Sequence, residues 1–402
     1  MKTVLISGAG IAGPTLAYWL NASGFEPTLL ERAPVLRRGG YVVDFWGLGY
    51  DIAERMGLLP EINRNGYHVR ELRIVGDAGR RLAGFGTKVF PELTDGRYVT
   101  LARSDLSHLL FDTIKGRTEV IFGDEIVRLD EEPDCVKAEL KRAGERRFDL
   151  VIGADGLHSA VRALAFGRQS SFERRLGYTV AAFEVHDYRP RDEDIYLMYN
   201  QPGRMVGRFT LHDNRTLFLF VFASTNPSLP DSPDEQRILL REVYGRGGWE
   251  CERIVAELDR AQELYFDSVS QIRMPNWSRG RIGLVGDAAF CVSLLAGQGS
   301  ALAMISAYVL AGELAAREGR YQEAFARYEA LLRTYIEAKQ RGAERFAAAF
   351  APGTRAGLLF RNLVIKAFAI PGLSKVAVGR DIADVLPLPN YSWPSLDQST
   401  AA

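Results

Sequence analysis

The chain has 402 residues, enough for two or three domains of roughly 150 residues or one large elaborated one. Hydrophobic residues make up 47% and charged residues 25%, an ordinary globular composition that excludes a disordered chain. Fifty Lys and Arg balance fifty Asp and Glu, so a net charge of zero gives no electrostatic case for a nucleic-acid or anionic-membrane partner.

Cys135, Cys251 and Cys291 are odd in number and far apart, which excludes a disulfide framework and a CxxC site and points to free thiols in a reducing cytoplasm. The five histidines (His68, His108, His158, His186 and His212) form neither HExxH nor HxH, so no metal site is expected. Thr3–Ser7 reads as a strand, too short and too early for a signal peptide. No uncharged apolar stretch reaches about 18 residues, so no membrane-spanning helix is expected.

In chain order, the sequence opens as strand (Thr3–Ser7), Gly-rich turn, helix (Ile11–Ala22) and strand (Pro27–Glu31), a βαβ start. A loop through Gly39-Gly40 leads into another helix, and Gly76-Asp77-Ala78-Gly79 turns a hairpin between two strand-like runs. A strand (Tyr98–Ala102) precedes a helix from Ser104 to Thr113, capped by Arg103 or Ser104. Short strands follow at Glu119–Phe122, Ile126–Asp130, Val136–Lys141 and Phe148–Ile152. A β-rich middle comes next, with Tyr178–Val185, Asp194–Tyr199, Arg204–Leu211 and Thr216–Phe222. Helices are read at Ser232–Tyr244 and Trp249–Leu258, and strands at Tyr265–Ile272 and Arg281–Val285. A long helix runs from Gln298 to Arg317, and a second carries Tyr321, Phe325, Tyr328, Leu332, Tyr335 and Ile336 on a helical period. The last dozen residues read as an extended tail.

Three motifs carry chemistry. In Gly8-Ala9-Gly10-Ile11-Ala12-Gly13, Gly8 permits the turn, Gly10 admits a pyrophosphate and Gly13 lets helix and strand pack closely. The free N–H groups and positive end of the helix then face phosphate. Glu31 ends the second strand, 18 residues after Gly13, where a carboxylate can accept hydrogen bonds from ribose hydroxyls and would repel a 2′-phosphate. The alternative for this motif is a Gly-rich turn with no ligand. The second motif, Gly153-Ala154-Asp155-Gly156-Leu157-His158-Ser159-Ala160-Val161-Arg162, also joins a strand end to a helix. The third is Gly286-Asp287-Ala288-Ala289 at a strand end, then Ala296-Gly297-Gln298-Gly299-Ser300 opening a long helix. Asp287 is placed to accept hydrogen bonds from a polyol, and the helix start is a second anion-friendly surface.

In this order and at these distances the three motifs resemble the class A flavoprotein monooxygenases, the aromatic hydroxylases of the para-hydroxybenzoate hydroxylase type. Overall length and the long C-terminal helices are similar to the branch of the tetracycline-inactivating monooxygenases. The resemblance covers about residues 1 to 345, the middle region matching in pattern only.

The resemblance implies an α/β fold: a discontinuous Rossmann-like FAD-binding domain (1–70, 97–168 and 273–318), an inserted β-sheet substrate domain (71–96 and 169–272), and C-terminal helices and tail (319–402). It implies FAD as cofactor, NAD(P)H and O2 as co-substrates and a small aromatic substrate hydroxylated through a C4a-hydroperoxyflavin. A monomer or weak dimer is expected. Residue by residue, Gly8, Gly10, Ala12 and Gly13 would hold the pyrophosphate. Glu31 would bind the adenosine ribose, with Arg32 by the adenine. Arg38 and Gly40 would border the flavin side, and Arg103 would reach the phosphates or ribityl chain. Asp155 would back the pyrophosphate near the path of the nicotinamide, and Asp287 would bind the ribityl chain. The backbone of Gly297, Gly299, Ser300 and Ala301 would lie under the pyrimidine edge, where a helix N terminus stabilises the anionic reduced flavin without a cationic side chain. No side-chain catalyst is assigned, because the cofactor carries the hard chemistry.

The chain departs from the family at Phe290, where His is usual, at Ser293-Leu294, where a Pro usually lies, and at Ala301 and Ser306, where Asn and Asp are common. Phe290 beside the cavity predicts a large, apolar, polycyclic aromatic or polyketide-like substrate rather than a small hydroxybenzoate. Arg204 and Arg208 share a strand face and read as a solvent-facing edge, with an acidic substrate or the NADPH pyrophosphate as the other reading. Phe183, Met198, Phe209, Phe218, Phe220 and Phe222 divide between core and pocket in a way the sequence leaves open. His158 and Cys291 read as a surface helix residue and a packed small residue. Two rivals stay open: a same-fold flavoenzyme of other chemistry (a halogenase or reductase), and a flavin-free binding protein of this fold.

Overall fold

The computed structural model describes residues 2–37, 39–87, 94, 96–224, 229–367 and 386–394. Its first sheet is built from β1 (Thr3–Ser7), β2 (Glu26–Glu31), β7 (Glu119–Phe122), β11 (Leu150–Gly153), β17 (Ser278–Arg279) and β18 (Ile282–Leu284), in the order β17-β18-β11-β1-β2-β7. All its pairings are parallel except β17 with β18. β1 lies at the middle and is apolar on both faces, as a parallel strand covered on both sides must be. Helices α1 (Ala12–Ala22) and α9 (Gly299–Ala316) pack against each other there.

The second large sheet has seven strands: β4 (Glu71–Val75), β5 (Arg81–Gly86), β12 (Glu173–His186), β13 (Ile195–Gln201), β14 (Arg204–Thr210), β15 (Arg215–Ala223) and β16 (Leu264–Ile272). Its order is β16-β12-β15-β14-β13-β4-β5, antiparallel apart from β13 with β4. The hairpin at Gly76–Gly79 joins β4 to β5, with Gly79 at φ +73°. The two-residue period sorts the aromatic residues. Phe183, Phe218, Phe220 and Phe222 form one core with Leu240, Tyr244 and Ile254, under helices α6 (Pro233–Tyr244) and α7 (Cys251–Ala256). Met198 and Phe209 are on the opposite face, which packs against Tyr41 and Val42 and against Leu294 and Leu295.

Two smaller sheets complete the frame. β8 (Ile126–Glu131), β9 (Val136–Leu140) and β10 (Gly144–Phe148) form one, and β3 (Val42–Trp46) pairs with β6 (Tyr98–Ala102) in the other. Between these lie α2 (Leu48–Arg55), α3 (Leu59–Asn65), α4 (Arg103–Asp112) and α5 (Ala160–Ala165). The α4 helix begins one residue earlier than the sequence suggests, with Ala102 as an extended N-cap and no side chain capping it. Downstream of β18 come α8 (Asp287–Phe290), α10 (Tyr321–Phe350) and α11 (Arg355–Ala367). By length and apolar content α9 could cross a bilayer, but it is mostly buried inside the protein as a core helix.

The expected extended tail is corrected in part. Tyr391 and Trp393 dock on α1 and α9, where the Trp393 ring lies 4.4 Å from Trp19 and 5.5 Å from Tyr308. The aromatic side chains there outweigh the Pro and Ser content that suggested a free tail. The rest of that stretch, 395–402, is outside the described residues.

Candidate FAD and substrate site

The three motifs converge at the C-terminal ends of β1, β11 and β18, adjacent strands within the parallel sheet. Gly8 (φ +110°) sits so close to the second motif that a Cβ would lie 2.5 Å from the Ala154 carbonyl oxygen. At Gly13 a Cβ would lie 1.9 Å from the Gly8 carbonyl oxygen, so only glycine lets α1 follow the turn. A Cβ at Gly286 (φ +59°) would meet the Ala12 methyl at 3.4 Å, which brings the third motif against the first. Arg162 locks the second to the third. Its buried guanidinium donates to the Ala288 carbonyl (2.9 Å), the Leu157 carbonyl (2.6 Å) and Gln169 Oε1 (3.2 Å). Nothing in the sequence alone assigns Arg162 this tie.

Several features leave room for a ligand rich in phosphate and hydroxyl groups. No side chain caps the N terminus of α1, and no acidic residue lies in its first turn. The N terminus of α9 is uncapped as well. A Cβ at Gly10 would meet only the Arg103 guanidinium, at 3.5 Å, and at Gly40, Gly297 or Gly299 it would meet nothing within 4 Å. Arg103 itself, half-buried, forms no ion pair or hydrogen bond through its side chain among the described residues. An unpartnered guanidinium between two helix N termini suits a pyrophosphate. These residues fit FAD.

The placement of the other expected residues is varied. Glu31 accepts from Ala9 N–H (2.8 Å) and Ala33 N–H (2.9 Å), so the carboxylate also fixes the glycine turn itself. Arg32 is exposed at the rim, and Arg38 lies outside the described residues. Asp155 faces its own helix: it accepts from Ser159 Oγ (2.5 Å), Ala160 N–H (2.8 Å) and Val161 N–H (3.1 Å), capping α5. Burial pushes its carboxyl above the usual range. Asp287 is held by the turn between β18 and α8, beside Arg103 and the Cys291 thiol, and burial raises its carboxyl too. Ser300 is buried in the first turn of α9, and Ala301 packs so tightly on α2 that a Cβ at Gly49 would lie 2.6 Å from its methyl. Ser306, where the family has Asp, accepts from Gly286 N–H (3.1 Å) and so steadies the third motif from inside α9.

Two tyrosines not singled out in the sequence complete this centre. The Tyr41 and Tyr265 rings meet edge to face at 5.6 Å, one from the Gly39-Gly40 loop and one from β16. Burial pushes the Tyr41 hydroxyl up to about 12, with Arg103 opposing that shift. Tyr41 could have been noticed as an aromatic placed directly after a Gly-Gly pair. Tyr265 had no such signal, since its role depends on which face of β16 turns inward.

Two expectations are corrected, and a third, His158 at the surface, holds with a partner added. Phe290 does not border the cavity: it is buried, its ring 4.6 Å from Trp277, because α8 turns it toward the core. Arg208 is neither solvent-facing nor free: 3% exposed, it pairs with Asp192 and, at 2.6 Å, with Glu250 on the helix-covered face. Arg204, on that same face, donates to the Val243 carbonyl. His158 is on the surface but partnered, its Nε2 2.9 Å from Asp267 Oδ2 of β16, so it bridges the second motif to the large sheet.

A parallel sheet with a Gly-rich first turn, an antiparallel sheet facing it and three motifs meeting between them define an FAD-dependent monooxygenase. The chain belongs to the FAD-binding family of class A flavin monooxygenases, whose FAD binding domain model matches residues 1–348. An uncharacterised protein of Mycobacterium tuberculosis is 38% identical over 347 residues, covering 85% of this chain and 92% of that one. A flavin-dependent monooxygenase of Legionella longbeachae is 33% identical over 394 residues, covering 96% and 98%. Among solved structures, the tetracycline destructase Tet(51) superposes with a TM-score of 0.83 at 30% identity, covering 97% of this chain and 100% of that one.

Proposed function

We propose that this flavin-dependent monooxygenase uses NAD(P)H and O2 to hydroxylate a polycyclic aromatic or polyketide-like molecule. The observation that carries this reading is the face that the large sheet turns toward the flavin site. Tyr196, Met198, Leu219 and Tyr265 lie there partly buried beside Phe209, Met205 and Val221, an apolar and aromatic wall. The arginines of β14 are turned to the other face. A small acid would need a fixed cation, whereas a broad apolar ring system gains roughly 25 cal/mol per Å² of surface covered. Leu294, from the loop after α8, adds to this wall. The solved relative named as a tetracycline destructase is consistent with a polycyclic substrate.

Bound FAD supplies the redox chemistry with NAD(P)H and O2. In this reading, Gly10 and Arg103 hold the pyrophosphate, Glu31 and Asp287 take hydroxyl donors, and the first turn of α9 presents N–H groups to the flavin's pyrimidine edge. Among the described residues one Gly-rich βαβ unit is present, so the nicotinamide has no second dinucleotide fold of its own. It reacts while bound transiently between the two large sheets.

The test is NADPH oxidation by the yellow enzyme, with product mass. Naphthol-type phenols and tetracycline-like polyketides are expected to accelerate oxidation and to gain one oxygen atom. Efficient turnover of para-hydroxybenzoate with no effect of polycyclic compounds would refute the substrate class.

A further inference from the structure

Ser293, in the segment between α8 and α9, takes φ +146° and ψ 141°. That conformation lies close to a region essentially reserved for glycine, and a serine stays in it only when its surroundings hold it there. Its own Oγ accepts from Leu295 N–H at 3.3 Å. A short turn at Leu294–Ala296 follows and places Leu295 in the apolar wall of the large sheet. Gly297, at φ +67°, then leads the chain into α9. The backbone at Ser293 therefore sets where the wall residues and the helix start both lie.

The hold on this segment comes from α10. Gln340, 5% exposed, lies in the second half of that helix and turns its amide toward the segment. Its Nε2 donates to the Ile272 carbonyl at 2.8 Å, the Cys291 carbonyl at 3.3 Å and the Phe290 carbonyl at 3.4 Å. Three acceptors around one nitrogen fix which way the amide faces. Phe290 ends the four-residue α8, so its carbonyl has no partner further along a helix, and Gln340 supplies one. β16 closes the arrangement. Gln271 Nε2 donates to the Gln340 main-chain carbonyl at 2.8 Å, and Ile272 N–H donates to the Cys291 carbonyl at 3.0 Å. An apolar side chain could pack α10 at this point, but only a donor can hold three buried carbonyls.

We propose that Gln340 is a positioning residue for the cavity. By fixing Phe290 and Cys291 it keeps Ser293 at its strained angle, which aims Leu294 and Leu295 at the substrate wall and the start of α9 at the flavin. The proposal rests on the reading that the first turn of α9 meets the flavin's pyrimidine edge, and Gln340 acts only through the intervening segment.

The test uses the flavin-loaded enzyme and two readouts. One is hydrogen exchange of the amides of 292–298. The other is the ratio of affinities for reduced and oxidised FAD, taken from the reduction potential of the bound flavin. Gln340→Met keeps the side chain's length and removes the donor. It is expected to retain FAD and to speed exchange in the segment by about tenfold or more, the scale of one lost hydrogen bond, with β1 unchanged. The affinity ratio should fall about fivefold, the scale on which a helix dipole acts on a charge. Ser293→Gly removes the strain, so in that background Gln340→Met should leave the ratio unchanged. If Gln340→Met does not fold, Gln340→Asn carries the same comparison, since the shorter amide keeps a donor but cannot span all three carbonyls. Unchanged exchange in the segment would overturn the proposal. So would faster exchange with an unchanged affinity ratio, because the tie would then serve folding alone. An equal loss with and without Ser293→Gly would overturn the role given to the strain. The placement of α9 is checked separately in wild type. Reduced FAD held there in its neutral form, not as the anion, would undo that placement and the flavin half of the proposal, while the exchange rates still decide whether Gln340 holds the segment.

Discussion

Among the described residues Arg103 makes no ion pair or hydrogen bond through its side chain, and its value depends on what arrives beside Gly10. Arg103→Ala is expected to weaken FAD binding by on the order of 1.5–3 kcal/mol, the range for a charge-assisted hydrogen bond, or about ten- to a hundredfold. Asp287→Ala should lose on the order of 1–3 kcal/mol in the same way. The flavin-to-protein absorbance ratio after purification reads both. Arg162 belongs to a different class: it ties motifs to each other and is sealed from water. Arg162→Met leaves two carbonyls and an amide oxygen without their donor, and a loss of roughly 3 kcal/mol or more is expected in a thermal scan, with flavin content falling only as folding does. The glycines, Glu31 and Asp287 are legible as motif residues because spacing alone places them together at the strand ends. Tyr41 and Tyr265 are not, because each takes its place from the other across the fold, their rings meeting edge to face at 5.6 Å.

At the scale of elements, periodicity read the βαβ start, the hairpin and the strands of the large sheet closely, since each satisfies its own hydrogen bonds or buries a regular face. It could not say which face of β14 or β15 turns to the flavin. That choice is made by α6 and α7, which cover the phenylalanines and Arg208 together. The departure at Phe290 misled for the same reason, since α8 is four residues long and its neighbours, not its period, set its facing. One contact between elements is titratable. His158 precedes α5 and reaches Asp267 in β16, and this hydrogen bond raises the imidazole's pKa above its usual value. A raised folded-state value stabilises below the unfolded pKa of about 6.5, and that contribution is lost as pH rises through the folded value. His158→Gln should therefore lower the melting temperature at pH 6 and matter progressively less above neutrality. A difference that grows with pH would contradict this assignment.

For the whole molecule, the parallel sheet draws its strands from the first 31 residues, the middle and residues 278–284. Its outer cover is drawn from further still: Trp393, 7% exposed, closes over Trp19 and Tyr308, and Tyr391 donates to Glu313 at 2.6 Å. Trp393→Ala is expected to cost about 3–5 kcal/mol, as for other buried tryptophans, and thermal unfolding checks it. Gly312→Ala should act on the same seam, since a Cβ there would lie 2.1 Å from the Tyr391 ring.

The seam between Trp393 and Trp19 also bears on how the chain is made. Synthesis delivers the N-terminal strand and helix first, yet the indole on that helix, already packed on Tyr308, lacks its outer cover until residue 393 has left the ribosome tunnel. The nucleotide-binding half therefore cannot finish folding as an early, independent unit while the rest is being translated. A nascent chain stalled before that point carries an exposed aromatic face, and one stalled before residue 284 lacks a strand of the parallel sheet as well. Such a fragment is prey for chaperones and proteases rather than a small flavin-binding domain.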